Sequence, residues 1–275
     1  MASETIELAD RLVFTVTGRH LNDLQRTILR QVWQGQKYLD IANTAGYTEG
    51  HIKDVAYQMW RRLSRVTSLG LYHLDLWNLE AATTWFSQVI ATATGTRHQP
   101  WADKATTCLA LVRSYQGQPD AAQTLADSVI EQVRGRGQSG RHAFFVQLLG
   151  HTYLNLGDLA TAEALFKAAI QAAAAGHYLQ IKANTLLGLG RLKKHQGNLA
   201  GAVEDCQGAI VLLDEVGAHG DLATAHLQCA LTLACLPGPA AEAEAHLDQA
   251  LDLFQAIPAP HQVARAKQAW AQRDG

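Results

Sequence analysis

A short motif recurs at a nearly constant interval through most of this chain. An alanine inside a helical pattern returns every 40 or 41 residues, and an aliphatic residue follows each alanine eight positions later. A period between about 20 and 50 residues predicts a solenoid, in which each unit buries its apolar face only against its neighbours. From about residue 64 onward we therefore predict an extended surface rather than a catalytic pocket. The alanines are Ala82, Ala122, Ala162, Ala202 and Ala243.

The composition excludes a disordered chain, and its charge is unevenly distributed. Hydrophobic residues make up 48% of the 275 residues, enough to bury a large core. The net charge is only −2, yet residues 11–65 carry nine Lys and Arg against four Asp and Glu, a local net charge of +5. A basic N-terminal segment on an acidic remainder favours contact with nucleic acid through that segment.

The sequence predicts a cytoplasmic protein. Residues 1–10 have neither a basic start nor an apolar run, so we expect no signal peptide. No apolar stretch reaches the roughly 20 residues that a membrane helix requires. The four cysteines form no CxxC pair and fall on the apolar sides of helical patterns, which indicates reduced core thiols. They are Cys108, Cys206, Cys229 and Cys235.

The third repeat unit shows why the spacing predicts paired helices. Gly150 and Ala162 are small, as two helices that cross closely require. Gly157 and Asp158 form a tight turn, because glycine ends one helix and aspartate caps the next. Phe166 stands at helical spacing from Ala162 and belongs to the apolar stripe.

This pattern resembles the tetratricopeptide repeat over residues 64–256, with small residues at the eighth and twentieth positions and an aromatic residue at the twenty-fourth. The unit is longer than the usual 34 residues, and we expect the extra residues to extend the helices and to lengthen loops, among them the loop around Gly217. The resemblance implies five helix pairs. Pro258 and Pro260 interrupt the pattern, and residues 261–273 then read as a capping helix.

The first 65 residues lack the period and show a different pattern. Asn22 is a candidate N-cap for a first helix, Tyr38–Ala45 form a short second helix, and Gly46 begins a turn. A third helix is predicted from Glu49 to about Leu63. A short helix, a glycine-containing turn and an amphipathic helix together predict a helix-turn-helix.

The order of these signals resembles LuxR-type and sigma-factor helix-turn-helix modules. A closer resemblance, over roughly residues 5–65, is to the N-terminal helix-turn-helix of vWA-MoxR-associated bacterial proteins, and the string from Trp33 to Gln36 is its most distinctive element. The resemblance implies DNA binding by this module. The fold class is thus all-α, with a helix-turn-helix domain over residues 1–63 joined without a flexible linker to a repeat domain over residues 64–275.

Outward positions of the third helix are candidates for contact with base edges or phosphates. Glu49 and Asp54 on the same helix would repel a polyanion, so a protein-docking role is the alternative. The candidate DNA-contacting residues are His51, Lys53, Tyr57, Gln58, Arg61 and Arg62.

Polar residues on the first helix of each pair are candidates for a peptide-binding groove. Asn155, Asn184 and Arg191 suit the backbone of an extended peptide, which needs amide partners. The alternative is that these are solvated polar positions found on any such solenoid. The full candidate set is Lys104, Tyr115, Phe144, Gln147, His151, Asn155, Asn184, Leu187, Arg191, Lys194 and His195.

No motif indicates catalysis, a metal or a cofactor. The twelve histidines include no HxxxH or HExxH pair, and the glycine-rich strings lack a P-loop lysine. The sequence therefore predicts a cytoplasmic, non-enzymatic regulator that binds double-stranded DNA as a homodimer and whose solenoid binds a controlling peptide or protein. Two alternatives are a protein-protein adaptor that does not bind DNA and a scaffold subunit of a larger complex.

Overall fold

A computed structural model describes residues 6–7, 9–10, 13–14, 19–34, 36–95, 99–134 and 140–273. Within these ranges the regular structure is entirely α-helical, which confirms the predicted fold class. The helices are α1 (Asp23–Trp33), α2 (Tyr38–Ala45), α3 (Glu49–Asp75), α4 (Leu79–Ala93), α5 (Gln99–Tyr115), α6 (Pro119–Arg134), α7 (Gly140–Asn155), α8 (Leu159–Ala175), α9 (Leu179–His195), α10 (Leu199–Glu215), α11 (His219–Leu233), α12 (Ala240–Ala256) and α13 (Pro260–Ala271).

The chain divides into two compact units. The first comprises Met1–Leu74 and Leu79–Val112, and the second comprises Asp75–Asn78 and Arg113–Gly275. The first unit contains α1, α2, most of α3, α4 and most of α5, and the second contains α6 to α13. The division between an N-terminal domain of residues 1–63 and a repeat domain of residues 64–275 stays a prediction.

Local signals explain how the N-terminal module folds. The side chain of Asn22 accepts a hydrogen bond from the Gln25 amide (2.8 Å), and the Gln25 side chain accepts one from the Asn22 amide (3.1 Å). This capping box satisfies two backbone donors at the start of α1. Gly46 ends α2 with φ +72°, a left-handed conformation that glycine adopts without steric cost. The short helix and the turn are therefore as predicted.

The third helix is longer than the sequence analysis predicted. Instead of ending near Leu63, α3 continues to Asp75. No proline interrupts this stretch, and its one interior glycine, Gly70, is buried against the ring of Phe86. A Cβ at Gly70 would lie 2.5 Å from that ring, so this glycine permits a close helix approach and does not end the helix. The helix-turn-helix thus leads directly into the first repeat.

The 40-residue period follows from the lengths of the helices in the second unit. Helices α8, α9 and α10 each contain 17 residues, and a three-residue turn follows each of them. Gly157, Gly197 and Gly217 occupy these and similar turns with positive φ. The expected long loop around Gly217 is therefore wrong, because this repeat gains its length in the helices. The capping helix is confirmed as α13.

One aromatic ring holds neighbouring repeats together. Phe166 on α8 is fully buried, and a Cβ built on Gly150 of α7 would lie 2.6 Å from its Cε1 atom. A Cβ on Gly188 of α9 would lie 2.4 Å from the same atom. The ring therefore packs against two first helices of successive pairs, and only glycine leaves room for it. This confirms that the small residue at Gly150 marks a close helix crossing.

Three of the four cysteines are buried, as predicted, but Cys235 is exposed. It follows the last turn of α11, where the chain leaves the helix for the turn before α12. In the described part of the chain, no helix is both long and apolar enough to cross a membrane.

Candidate functional sites

The turn between α2 and α3 presents the start of α3 to solvent. The Thr48 hydroxyl oxygen accepts a hydrogen bond from the His51 amide (3.2 Å), which caps the first turn of α3. Ile52 and Met59 are fully buried on the opposite side of this helix. The side chain of Tyr57 is 68% exposed, and His51, Lys53 and Gln58 are exposed as well. These four side chains lie around the exposed side of α3, which we call the α3 face.

Charge on the α3 face is partly neutralised within the protein. Lys53 Nζ lies 2.8 Å from Glu49 Oε1, one helical turn earlier. This exposed pair is weak, of the order of 0.3–0.5 kcal/mol, so Lys53 can exchange Glu49 for another anion. The predicted residues Arg61 and Arg62 lie on α3, but their side chains are outside the described part of the structure.

The structure adds one residue to this surface that the sequence analysis left in the turn. The ring of Tyr47 stacks on the imidazole of His51, with centroids 5.1 Å apart and planes 27° apart. Tyr47 is 49% exposed. The sequence feature that could have identified Tyr47 is its position directly after the turn glycine, Gly46, and just before α3.

A buried carboxylate anchors the segment that precedes α1. Asp10 accepts hydrogen bonds from the Leu21 amide, from Arg26 (2.6 Å) and from His20 (2.8 Å). Burial opposes ionisation of Asp10, but these donors outweigh it and lower the pKa of the carboxyl. Arg26, one of the basic residues of the N-terminal segment, therefore has a structural partner rather than a free charge.

In the second unit, the candidate groove residues form hydrogen bonds between repeats. Arg191 donates to Asn155 Oδ1 (2.7 Å), and Asn155 donates in turn to the Ser114 hydroxyl (2.8 Å). Asn184 donates to Asp221 Oδ2 (2.7 Å). The paired residues are 36, 41 and 37 positions apart, or about one repeat. We call these three bonds the inter-repeat ladder.

The inter-repeat ladder changes what these side chains offer a ligand. Asn155, Asn184 and Arg191 are satisfied within the protein, and Lys194 Nζ likewise donates to the Leu231 carbonyl (2.7 Å). Each amide and guanidinium still has further donors or lone pairs, because one bond does not exhaust them. A peptide can therefore add to the ladder, but it gains less from each contact than it would from unpaired groups.

The remaining groove candidates differ in burial and in the compact unit to which they belong. Gln147 and Leu187 are 3% and 4% exposed, so they belong to the interior and are not available to a ligand. Lys104 lies in the first compact unit, with Nζ 5.0 Å from the centre of the Trp101 ring. Phe144 is partly exposed and His195 is exposed. The helical register correctly assigned helices, but it could not resolve which side of a tightly packed helix is covered.

His151 is held neutral. Its Nδ1 atom is buried without a partner, and its ring packs edge-on against Phe166, with centroids 5.0 Å apart. Burial, followed by the positive charge of Arg191, lowers the pKa of His151 to about 3. The imidazole therefore contributes packing and no charge at neutral pH.

Two carboxylates of the second unit interact with each other. Asp221 accepts hydrogen bonds from the neutral amides of Asn184 and Gln180, and its charge acts on Asp75 at the end of α3. Protein atoms surround much of Asp75, but the residue remains exposed to solvent. Burial and then repulsion by Asp221 raise the pKa of Asp75 to about 7.

The structure also pairs two histidines that the sequence left apart. His226 Nδ1 and His246 Nδ1 lie 2.8 Å apart, on α11 and α12. Burial and the neighbouring imidazole lower the pKa of His226 to about 4. Their 20-residue separation matches no local ligand motif, and the described residues contain no group of three side chains that could hold a metal.

An N-terminal helix-turn-helix followed by helical repeats is also what comparison with protein families finds. Residues 1–70 match the N-terminal helix-turn-helix of vWA-MoxR associated proteins, and residues 146–175 match the tetratricopeptide repeat. Both resemblances inferred from the sequence are thereby confirmed. The sequence matches no functionally curated protein.

Solved structures with a similar fold include two Bacillus proteins. PlcR from Bacillus thuringiensis, in complex with the peptide PapR7 and DNA, has a TM-score of 0.66 at 10% sequence identity, over 96% of this chain and 98% of PlcR. Aspartyl phosphate phosphatase F from Bacillus subtilis has a TM-score of 0.56 at 14% identity, over 99% of this chain and 79% of the phosphatase. At these identities the likeness concerns the fold.

Proposed function

We propose that this protein is a DNA-binding regulator whose repeats bind a controlling peptide. The observation that carries the proposal is the α3 face, a set of exposed polar and aromatic side chains on the third helix of a helix-turn-helix. Support comes from PlcR, which shares the fold over nearly its full length and was solved with a peptide and DNA. The regulator acts inside the cell, where its DNA is.

The α3 face has the chemistry that duplex recognition needs. Gln58 can form bidentate hydrogen bonds with a base edge, and Lys53 and His51 can reach phosphates or bases. Release of Lys53 from Glu49 is inexpensive, since the pair is exposed. Asp54 on the same helix disfavours some sequences and so contributes to selectivity. Because one such module makes few phosphate contacts, we expect a homodimer on two half-sites.

The second unit supplies the peptide surface in this proposal. Asn155 on α7 and the pair Asn184 and Arg191 on α9 belong to successive repeats, and their side chains keep unused hydrogen-bonding groups that suit the amides of an extended chain. Occupation of the groove would add cross-links between successive repeats. A bound peptide would thereby favour one arrangement of the repeats over others, and this shift in population would be transmitted to the rest of the chain.

A catalytic role is not part of the proposal, although one protein of similar fold is a phosphatase. Burial is the main cause that raises the pKa of the Cys206 thiol to about 12 and the pKa of the Cys229 thiol to about 11. Neither is therefore a thiolate nucleophile at neutral pH. His151 and His226 are neutral for the same reason and are poorly placed to accept protons from a substrate.

The test is selection of duplexes from a random DNA library at low salt, followed by fluorescence anisotropy on the enriched sequence. Lys53→Glu should abolish binding without unfolding the protein, and Gln58→Ala should lower sequence preference. The matched control is Lys167→Glu on α8, because Lys167 forms the same i,i+4 pair with Glu163 (2.6 Å) far along the chain. No enriched duplex for the folded wild type would favour the adaptor function instead.

A further inference from the structure

Two guanidinium groups of the second unit lack a carboxylate partner, and contacts through Asn155 and Trp77 link them to two adjacent residues, Ser114 and Tyr115. Arg191 on α9 is bonded to the neutral oxygen of Asn155 (2.7 Å). Arg265 on α13 has its guanidinium carbon 4.1 Å from the centre of the Trp77 ring, and its buried Nε has no hydrogen-bond partner. Among the described residues, no carboxylate oxygen lies within ion-pair distance of either arginine.

The electrostatics of Arg265 agree with the absence of a carboxylate partner. Burial, opposed by Tyr115 and reinforced by the charge of Arg191, lowers the pKa of Arg265 to about 10. No acidic side chain contributes. Two carboxylates of the same unit, Asp75 and Asp221, act on each other instead. Two partly buried like charges destabilise one another, and an anion bound between or beside them relieves the repulsion.

The turn that carries Trp77 differs from the equivalent turns of the next three helix pairs. Trp77 has φ +60°, at the position where those turns have Gly117, Gly157 and Gly197. A tryptophan in this left-handed conformation carries steric strain that glycine avoids. The strain is offset by stacking, because the indole packs on Arg265 and lies 4.5 Å from the Tyr115 ring, centre to centre. The first turn thus departs from the repeat pattern at the residue that holds Arg265 in place.

We propose that Arg191 and Arg265 form a carboxylate-binding subsite for the peptide ligand, with Trp77 and Tyr115 positioning the second arginine. The planar guanidinium matches a carboxylate through two parallel hydrogen bonds, and partial burial strengthens that contact. The inference rests on the proposed peptide-binding function. The carboxylate comes either from the peptide C-terminus or from an acidic side chain, and both sources present the same group to the arginines.

The test uses synthetic random heptapeptide pools and the full-length protein immobilised on beads. Four pools combine a free or amidated C-terminus with the presence or exclusion of Asp and Glu, and mass spectrometry quantifies the retained peptides. Wild type should retain carboxylate-bearing peptides at least tenfold better than the pool that lacks every carboxylate. Retention of free-acid peptides without Asp and Glu identifies the C-terminus as the source, and retention of amidated peptides that contain them identifies the side chain.

Variants link the preference to the two arginines. Arg191→Gln and Arg265→Gln should each remove the preference, while Arg265→Lys should keep part of it because the charge remains. The matched control is Arg273→Gln, since Arg273 also stacks on a tryptophan, 4.2 Å from the Trp270 ring centre, but is exposed. Circular dichroism melting establishes that each variant is folded. If Arg265→Gln does not fold, Arg265→Lys still tests the role of this arginine.

The outcomes separate the two proposals. Retention without a carboxylate preference, or a preference that survives in both folded Gln variants, overturns the subsite and leaves peptide binding intact. Retention of no peptide from any pool overturns peptide binding and the subsite with it. A preference lost equally in the Arg273→Gln control also overturns the subsite, because it shows that bulk charge was responsible.

Discussion

The α3 face and the inter-repeat ladder present polar side chains in opposite ways. On the α3 face, the side chains of His51, Tyr57 and Gln58 project into solvent, and the fold is stabilised by the buried side of the same helix. In the ladder, Asn184 and Arg191 bond to neighbouring repeats and so belong to both the fold and the candidate site. A surface of the first kind can change its specificity at little cost in stability, whereas one of the second kind cannot. The following predictions test that difference.

The largest effect is expected in the packing beneath the ladder. Phe166→Ala should destabilise the protein by about 3–5 kcal/mol, because it leaves a cavity between α7, α8 and α9 where the ring is fully buried. The loss should appear as a lower urea midpoint. Val211→Ala on α10 is the control, since Val211 is 66% exposed and its truncation should change stability little. Equal losses would contradict the central role of Phe166.

Overpacking at the same crossing should have a somewhat smaller effect. Gly150→Leu should destabilise by about 1–3 kcal/mol, since even a Cβ there would lie 2.6 Å from the Phe166 ring. The control is Ala174→Leu on α8, where the side chain is exposed. Ala173, which the sequence placed near a loop and which we expected to tolerate leucine, is 1% exposed and should not. Thermal shifts of the three variants check this order.

The ladder itself should contribute measurably to stability. Loss of one inter-repeat hydrogen bond typically costs about 0.5–1.5 kcal/mol, so Asn184→Ala and Arg191→Ala should each lower the melting temperature. Gln58→Ala on the α3 face should stay within about 0.5 kcal/mol of wild type. A ladder variant as stable as Gln58→Ala would show that the ladder bonds are replaced by water without loss.

The smallest effect concerns pH. The pKa of Asp75 is about 7 in the folded protein against 3.8 for the free group. Between these values the native state holds a proton that the unfolded chain has released, so Asp75 lowers stability as pH rises from about 4 to 7. His226 acts in the opposite sense, because its pKa falls to about 4 and acid therefore favours the unfolded chain.

The Asp75 contribution is isolated by comparing melting temperatures of Asp75→Asn and wild type between pH 4 and pH 8. Their difference should shift in favour of the variant as pH rises. Asp252→Asn, a change at an exposed position on α12, should show no such trend. A constant difference for Asp75→Asn would mean that neither burial nor Asp221 raises the pKa of Asp75 in solution.

Most of the architecture was predictable because its causes are local. The capping box at Asn22, the glycine of the α2–α3 turn and the small residues at Gly150 and Ala162 each act within a few residues of their own position. The end of α3 was not predictable in the same way. The local pattern predicted a helix only to about Leu63, whereas α3 continues through Gly70, where the ring of Phe86 packs at a close helix crossing.

The sequence by itself therefore determined the helix pairs, their period and the identity of the two modules, since periodicity and turn chemistry are written along the chain. Only the tertiary structure decided which polar residues meet. The backbone carbonyl of Asp75 accepts a hydrogen bond from the side chain of Gln262, 187 positions later in the sequence. Arg265 stacks on Trp77 across a similar separation in sequence. Contacts of this kind depend on how successive repeats pack. The repeat pattern does not predict them, because the same pattern is present in every unit and does not specify which units come together.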